Sequence, residues 1–158
     1  FEVLIDLKIA KERPAFLSSK EEETPNGAIL EGMHFLCAED NELNAEILKD
    51  LLKIKGEECT ICENGQKVVE TFEQSVPGAY DMILMDVQMP VMNGYDAARA
   101  IRRSLHKQAG TIPIIAMTAN AFSEDIRHSL TAGMNAHIAK PVDMKLLITM
   151  INELTETY

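Results

Sequence analysis

Tyr80-Asp81-Met82-Ile83-Leu84-Met85-Asp86-Val87-Gln88-Met89-Pro90, followed closely by Asn93-Gly94, is the stretch on which the reading of this chain turns. Its almost unbroken run of Ile, Leu and Met predicts a strand covered on both faces, because a strand open to water on one side would alternate apolar with polar residues. The run ends in an acid, so the Asp86 carboxylate must emerge at the strand's tip. Pro90 and Gly94 then end the strand and build a tight loop, which holds Asp86 on a rigid element facing a crevice.

Working outward, strands and helices alternate from His34 onward. His34 to Ala38 reads as a short apolar strand. Asp40 or Asn41 caps the helix that follows, in which Leu43, Ile47, Leu48, Leu51 and Leu52 recur at helical spacing, and Gly56 stops it. A second strand near Glu58 to Cys62 leads to a helix capped at Asn64, with Val68, Val69 and Phe72 inward. After the Asp86 strand, Asn93-Gly94 opens a helix to about Leu105, with Ala97, Ala98 and Ile101 inward and Arg99, Arg102 and Arg103 largely outward. A fourth strand runs from Ile112 to Met117 and ends at Thr118. A more polar helix from about Ser123 to Thr131 closes at Ala132-Gly133. The fifth strand, Ala136 to Ala139, ends at Lys140-Pro141, and the last helix begins at Asp143 with Leu146, Leu147, Met150, Ile151 and Leu154 on one face. Five strand-then-helix repeats imply a doubly wound parallel sheet in the α/β class, whose ligands bind beyond the carboxyl ends of the strands.

The remainder of the chain is different in character. Phe1 to Ala10 alternates Phe1, Val3, Ile5, Leu7 and Ile9 with polar residues, the pattern of a half-buried strand. Residues 11–32 contain Glu21-Glu22-Glu23 and Pro25-Asn26-Gly27 and too little apolar content to pack, so they read as a linker. A strand, a linker and then a domain over 33–158 suggest that residues 1–10 are the tail of a preceding domain, with an added edge strand as the alternative. A chain of 158 residues with 46% hydrophobic composition supplies one good core. The formal charge of −10 argues against a nucleic-acid backbone or an anionic membrane surface as direct partner. No apolar run approaches the roughly 20 residues of a membrane span. The three cysteines, Cys37, Cys59 and Cys62, make no disulfide framework. Cys59 and Cys62 are spaced C-x-x-C, but on a strand residues three apart face opposite sides, so they read as packed thiols in a reducing cytoplasm.

The strand ends carry the chemistry. Glu39 and Asp40 follow the first strand, Asp86 ends the third, Thr118 the fourth and Lys140 the fifth. Singly, each has a bland reading as a solvated loop acid, a helix cap or a surface lysine. At corresponding places in one alternating pattern they converge. Two carboxylates about 4 Å apart repel by about 4 kcal/mol at an effective dielectric of 20, so clustered acids need raised proton affinity or a cation. Mg²⁺ suits them because it takes oxygen ligands and a phosphate oxygen, while Lys140 and the Thr118 hydroxyl would serve that phosphate. Asp86 is left as the nucleophile, since a carboxylate can attack phosphorus.

Cys37-Ala38-Glu39-Asp40-Asn41, Met85 to Gly94, Ile114 to Ala119 and Ala139-Lys140-Pro141 together resemble response-regulator receiver domains, over nearly all of His34 to Leu154. The resemblance implies a flavodoxin-like (βα)5 fold with strand order 2-1-3-4-5. It implies Asp86 as phosphoacceptor and Glu39, Asp40, Asp86 and the Gln88 backbone carbonyl as ligands for Mg²⁺, with Mn²⁺ as a substitute. Thr118 becomes the switch hydroxyl, Lys140 the phosphate partner, and the bond before Pro141 a cis peptide. His137 stands where the family often has a mobile Tyr or Phe, so either a pH-sensitive switch or a passive histidine fits there. His34, His106 and His128 occupy no donor motif. Met89 to Gly94 and Gly133 to His137 are closest in style to receivers of hybrid sensor histidine kinases, and residues 1–10 resemble the closing strand of a kinase ATP-binding domain. The implied partner is a histidine-kinase dimerisation domain or a histidine phosphotransfer domain, with self-association through residues 1–10 left open and any membrane anchor confined to the parent protein. The chain carries no kinase glycine boxes. A phosphatase or phosphotransferase of haloacid-dehalogenase type, a flavodoxin-like cofactor module and an unphosphorylated scaffold are the competing functions. The first would place a second Asp where Gln88 stands.

Overall fold

The β-strand at the centre of that reading is β3 (Met82–Asp86), and every residue in it is buried. A computed structural model describes residues 32–54, 56–119 and 123–157. Residues 1–10 and nearly all of the predicted linker lie outside them. Around β3 the chain forms β1 (His34–Ala38), α1 (Glu42–Ile54), β2 (Glu58–Cys62), α2 (Gly65–Gln74), α3 (Gly94–Arg103), β4 (Ile114–Thr118), α4 (Ser123–Thr131), β5 (Ala136–Ala139) and α5 (Met144–Thr157). The five strands pair in parallel in the order β2-β1-β3-β4-β5, as the resemblance implied.

Alternation along each strand divides the core in two. Leu36, Ile83, Met85, Ile114 and Ala116 point to one face and pack with Val68, Phe72, Ala97 and Ile101 of α2 and α3. Phe35, Cys37, Leu84, Ile115 and Met117 point to the other, against Leu48 and Leu52 of α1 and Leu147 and Ile151 of α5. Each Val, Leu, Ile, Phe or Met among them, fully removed from water, contributes about 1.5–3 kcal/mol before the cost of ordering the chain. Cys59 packs on the α1 face and Cys62 on the α2 face, so the C-x-x-C spacing brings no thiol pair together on one side. All three cysteines are free.

Local chemistry sets the element ends. The Asn41, Asn64 and Asn93 side chains accept from the N–H groups of Asn44, Lys67 and Asp96, capping α1, α2 and α3. Gly56 and Gly133 take φ of 87° and 101° where α1 and α4 stop. Among the described residues, no helix is long and apolar enough to cross a membrane.

Not every residue of the helical apolar stripes is covered. Leu43 and Ile47 of α1 are 68% and 50% exposed, and Leu146 of α5 is exposed as well, because only part of each apolar stripe meets the sheet. Arg102 does not face solvent freely. Its guanidinium bends back to donate to the carbonyls of Gly133 and Ala109 and to the Asn135 side chain, tying α3 to the turn before β5.

Candidate functional site

The carboxyl ends of the four strands from β1 to β5 in the sheet are each held by a hydrogen bond at or just past the ladder's end. The Glu39 N–H donates to Cys62 O at 2.9 Å, Val87 N–H to Met117 O at 3.1 Å, and Lys140 N–H to Thr118 O at 2.7 Å. Side chains leaving these positions therefore start from fixed backbone. Gly94 adds a further restraint: its N–H donates to Val87 O at 2.8 Å, and a Cβ there would collide with the Asp86 carbonyl oxygen. The loop after Asp86 can close back on the strand only because that residue has no side chain.

Lys140 stands at the middle of the cluster. Its Nζ lies 3.2 Å from Glu39 Oε1 and 3.2 Å from Asp86 Oδ2. The second oxygen of Glu39 accepts from the Asn41 N–H at 3.2 Å, and Oδ1 of Asp86 from the Gln88 N–H at 3.3 Å. Glu39 and Asp86 are 4% and 3% exposed, whereas Asp40 is open to solvent. Burial pushes the Asp86 carboxyl up from 3.8 to about 6, Glu39 adds to the rise, and Lys140 opposes it. Desolvation of the Lys140 ammonium is more than offset by Asp86 and Glu39, and its pKa is raised.

One lysine does not neutralise three acids. Glu39, Asp40 and Asp86 each offer an oxygen, and these oxygens lie within 4.8 Å of one another. Among the described residues they form the one group of three or more acidic, His or Cys side chains arranged to hold a metal. An all-oxygen donor set with surplus negative charge and one solvent-facing member suits a hard divalent cation that keeps some of its water.

The other predicted residues fall around this cluster. Thr118 is buried at the tip of β4, one residue beyond Met117, which is the register partner of Asp86. Gln88 is exposed and meets Asp86 through its backbone N–H. The Lys140–Pro141 peptide is cis, as the resemblance implied. His137 lies on β5 opposite Ala116, half-buried, and burial lowers its imidazole pKa. The direct Lys140–Glu39 pair was not anticipated, since strand-end positions alone do not say which acid a long lysine reaches. His106, which occupies no donor motif, is structural: its ring packs on Phe72 at 4.2 Å, its Nδ1 accepts from Gln108 N–H, and its Nε2 faces the Ser75 carbonyl at 3.1 Å.

The chain and its fold match known proteins. The family model for the response regulator receiver domain matches residues 35–152. The chain is 40% identical over 119 residues to Hybrid signal transduction histidine kinase I of Dictyostelium discoideum, an alignment covering 74% of this chain but 7% of that protein. The receiver domain of sensor histidine kinase PA1611 from Pseudomonas aeruginosa PAO1, solved with magnesium ion coordinated in the active site cleft, superposes with a TM-score of 0.69 at 36% identity, covering 78% of this chain and 97% of that one. The co-crystal structure of the Saccharomyces cerevisiae histidine phosphotransfer signaling protein Ypd1 with the receiver domain of its downstream response regulator Ssk1 matches with a TM-score of 0.70 at 31% identity, covering 79% and 90%. With the fold, the strand-end acids and these matches in agreement, the chain belongs to the response regulator receiver domain family.

Proposed function

We propose that this domain accepts a phosphoryl group from a phosphohistidine onto Asp86 in a two-component phosphorelay. One observation carries the reading: a strand-tip carboxylate held between an acid cluster and a lysine at 3.2 Å. In the transfer an Asp86 oxygen forms the new bond to phosphorus, the N–P bond of the phosphohistidine breaks, and its electron pair returns to the imidazole ring. Glu39, Asp40, Asp86 and the Gln88 carbonyl are the residues that would hold Mg²⁺, or Mn²⁺ in its place. When bound, the ion supplies charge neutralisation for the phosphoryl oxygens.

The chain's own groups do the positioning. Lys140 already touches Asp86 and can follow the charge onto a phosphoryl oxygen as a point cation. The Thr118 hydroxyl, one strand away, would donate to another, and that new bond is the switch that changes the neighbouring surface. His137, two residues before Ala139, the register partner of Thr118, is the proposed second member of the switch. Hydrolysis of the aspartyl phosphate by water would reset the domain. The haloacid-dehalogenase alternative needs an acid two residues after Asp86, and Gln88 offers an amide instead.

The similarity to hybrid histidine kinases supports a parent protein of that kind, with residues 1–10 as the end of its ATP-binding domain, residues 11–32 as linker and the receiver in the cytoplasm. Its partner would be a dimerisation domain or a histidine phosphotransfer domain, in line with the Ypd1–Ssk1 match. The test is incubation with Mg²⁺ and acetyl phosphate followed by intact mass. Wild type gains one phosphoryl group and Asp86→Asn gains none. Labelling of both, or of neither across several small donors, would overturn the assignment.

A further inference from the structure

Asn-Gly stands at the start of two neighbouring helices, as Asn64-Gly65 before α2 and Asn93-Gly94 before α3, and only the second lies near Asp86 in sequence. In both, the Asn side chain caps the helix by accepting from the N–H three residues on, that of Lys67 or Asp96. The glycine is then the first helical residue, and its N–H has no partner within its own helix. The two orphan amides act in series. Gly94 N–H donates to Val87 O at 2.8 Å and closes the loop onto the end of β3, while Gly65 N–H donates to Met92 O at 3.1 Å and closes α2 onto the loop.

Gly65 is not among the glycines with positive φ, so its backbone does not call for glycine. Helix propensity does not call for it either, because alanine is the better helix former. The contact does. Gly65 is buried, and a Cβ on it would collide with Met92 O and lie 3.1 Å from Asn93 O and from the Ala97 Cβ. Two of those three obstacles are backbone of the loop, which cannot rotate aside as a side chain can.

The loop so held is under strain. Val91 has φ of 68°, and among the described residues it is the one non-glycine with positive φ, in a region that a β-branched side chain rarely enters. Such a conformation persists only where the surroundings over-determine it. Here Met89 and Met92 pack against the core, Gly94 pins the loop to β3, and Gly65 pins it to α2.

Resting on the function proposed above, we infer that Gly65 is a positioning residue for phosphoryl transfer. Through it α2 braces the loop, and the brace keeps the Gln88 carbonyl and the Asp86 carboxylate directed at one cation. Gly65 acts through the loop. Its influence passes from Met92 and Asn93 to Gly94, and from Gly94 to Val87 at the tip of β3.

The test takes the whole chain as wild type, Gly65→Ala, Asn64→Ala and Phe72→Leu, and reads amide exchange by NMR in EDTA and Mg²⁺ affinity by titration calorimetry. Phe72 is buried on the same helix seven residues on, about 10 Å along its axis, so its truncation weakens α2 packing without touching the loop. In Gly65→Ala the Gly94 N–H should exchange at least about tenfold faster, measured against the Ile83 N–H that bonds to Pro113 O near the start of β3. Its Mg²⁺ dissociation constant should rise about tenfold, as for loss of a group that orients metal ligands. Asn64→Ala frays the start of α2 and should move both readouts the same way by less. Phe72→Leu should leave both within about twofold of wild type. Equal changes in Gly65→Ala and Phe72→Leu would make Gly65 a packing residue of α2 and sink the inference, as would wild-type exchange and affinity in Gly65→Ala. If Gly65→Ala does not fold, Asn64→Ala against Phe72→Leu decides by the same criteria. Adding Ala97→Gly to Gly65→Ala should restore neither readout, and restoration would place the collision on α3 and overturn the brace. Failure of wild type to take a phosphoryl group from acetyl phosphate would instead remove the underlying function, while the Gly94 exchange still reports on the brace.

Discussion

Replacing Asp86 by Asn removes a charge that the metal-free fold holds at a cost, so the variant should be more stable than the wild type near neutral pH. Burial and Glu39 together raise this carboxyl from 3.8 to about 6 even with Lys140 beside it. At about 1.36 kcal/mol per pH unit that rise corresponds to about 3 kcal/mol against the ionised form. Water entering the open edge of the site and the lost Lys140 contact reduce it, leaving about 1–3 kcal/mol, or about 4–12 °C in melting temperature for a domain of this size. The sign follows from proton uptake. Between pH 3.8 and about 6 the folded carboxyl holds its proton more tightly than the unfolded one, so wild-type stability falls as pH rises through that window. Asn has no such dependence. Scanning calorimetry in EDTA at pH 4, 5, 6 and 7.5 should show the two proteins together at the acid end and Asp86→Asn increasingly ahead above it. Adding Mg²⁺ should raise the wild type preferentially and narrow the gap. A variant that melts below wild type at pH 7.5, or a gap that does not change with pH, would refute the electrostatic account of the cluster.

Three further outcomes follow from the same geometry. Asp40→Ala should weaken Mg²⁺ binding by at least about tenfold in titration calorimetry, and an unchanged affinity would remove Asp40 from the metal site. Lys140→Met leaves Glu39 and Asp86 facing each other without their shared cation. Its urea midpoint without metal should drop by the equivalent of about 1–3 kcal/mol at pH 7.5 and recover toward pH 5 as a carboxyl takes up a proton. Gly94→Ala forces a Cβ against the Asp86 carbonyl and the Val87 backbone, and should cost about 1–3 kcal/mol while slowing acetyl phosphate labelling. Normal labelling in that variant would show that the loop closure does not position Asp86.

The main strands and the site were legible because their signals are one-dimensional. An apolar run of five residues ending in an acid can be little else than a covered parallel strand, and four of the five strands and α4 fall on the residues that periodicity marks. β4 begins two residues later than expected, at Ile114, because Pro113 cannot donate to the ladder. Spacing was less informative wherever a residue's surroundings come from distant parts of the chain. Leu43 and Ile47 share the helical period of Leu48 and Leu52, yet they stay exposed while the other two are buried. Arg102 looks like its neighbours Arg99 and Arg103 until the turn at Gly133 is brought alongside, 31 residues away. The role of His106 likewise depends on Ser75, the residue just past the end of α2 and 31 positions away.

By itself, then, the sequence determined the alternation of elements, the parallel sheet and the set of groups delivered to its carboxyl edge, because periodicity of burial and the residues that end strands and cap helices act over a few positions. Only the tertiary structure decided the partners among those groups. That Lys140 bridges Glu39 and Asp86, 101 and 54 positions earlier, depends on the order β1-β3-β4-β5 and on where each strand tip is pinned. That Val91 turns at a φ of 68° depends on Met92 and Gly94, whose backbone bonds to Gly65 and Val87 fix the chain just after it. Both are consequences of closing the chain in three dimensions, and neither the charge of Lys140 nor the branching of Val91 announces them.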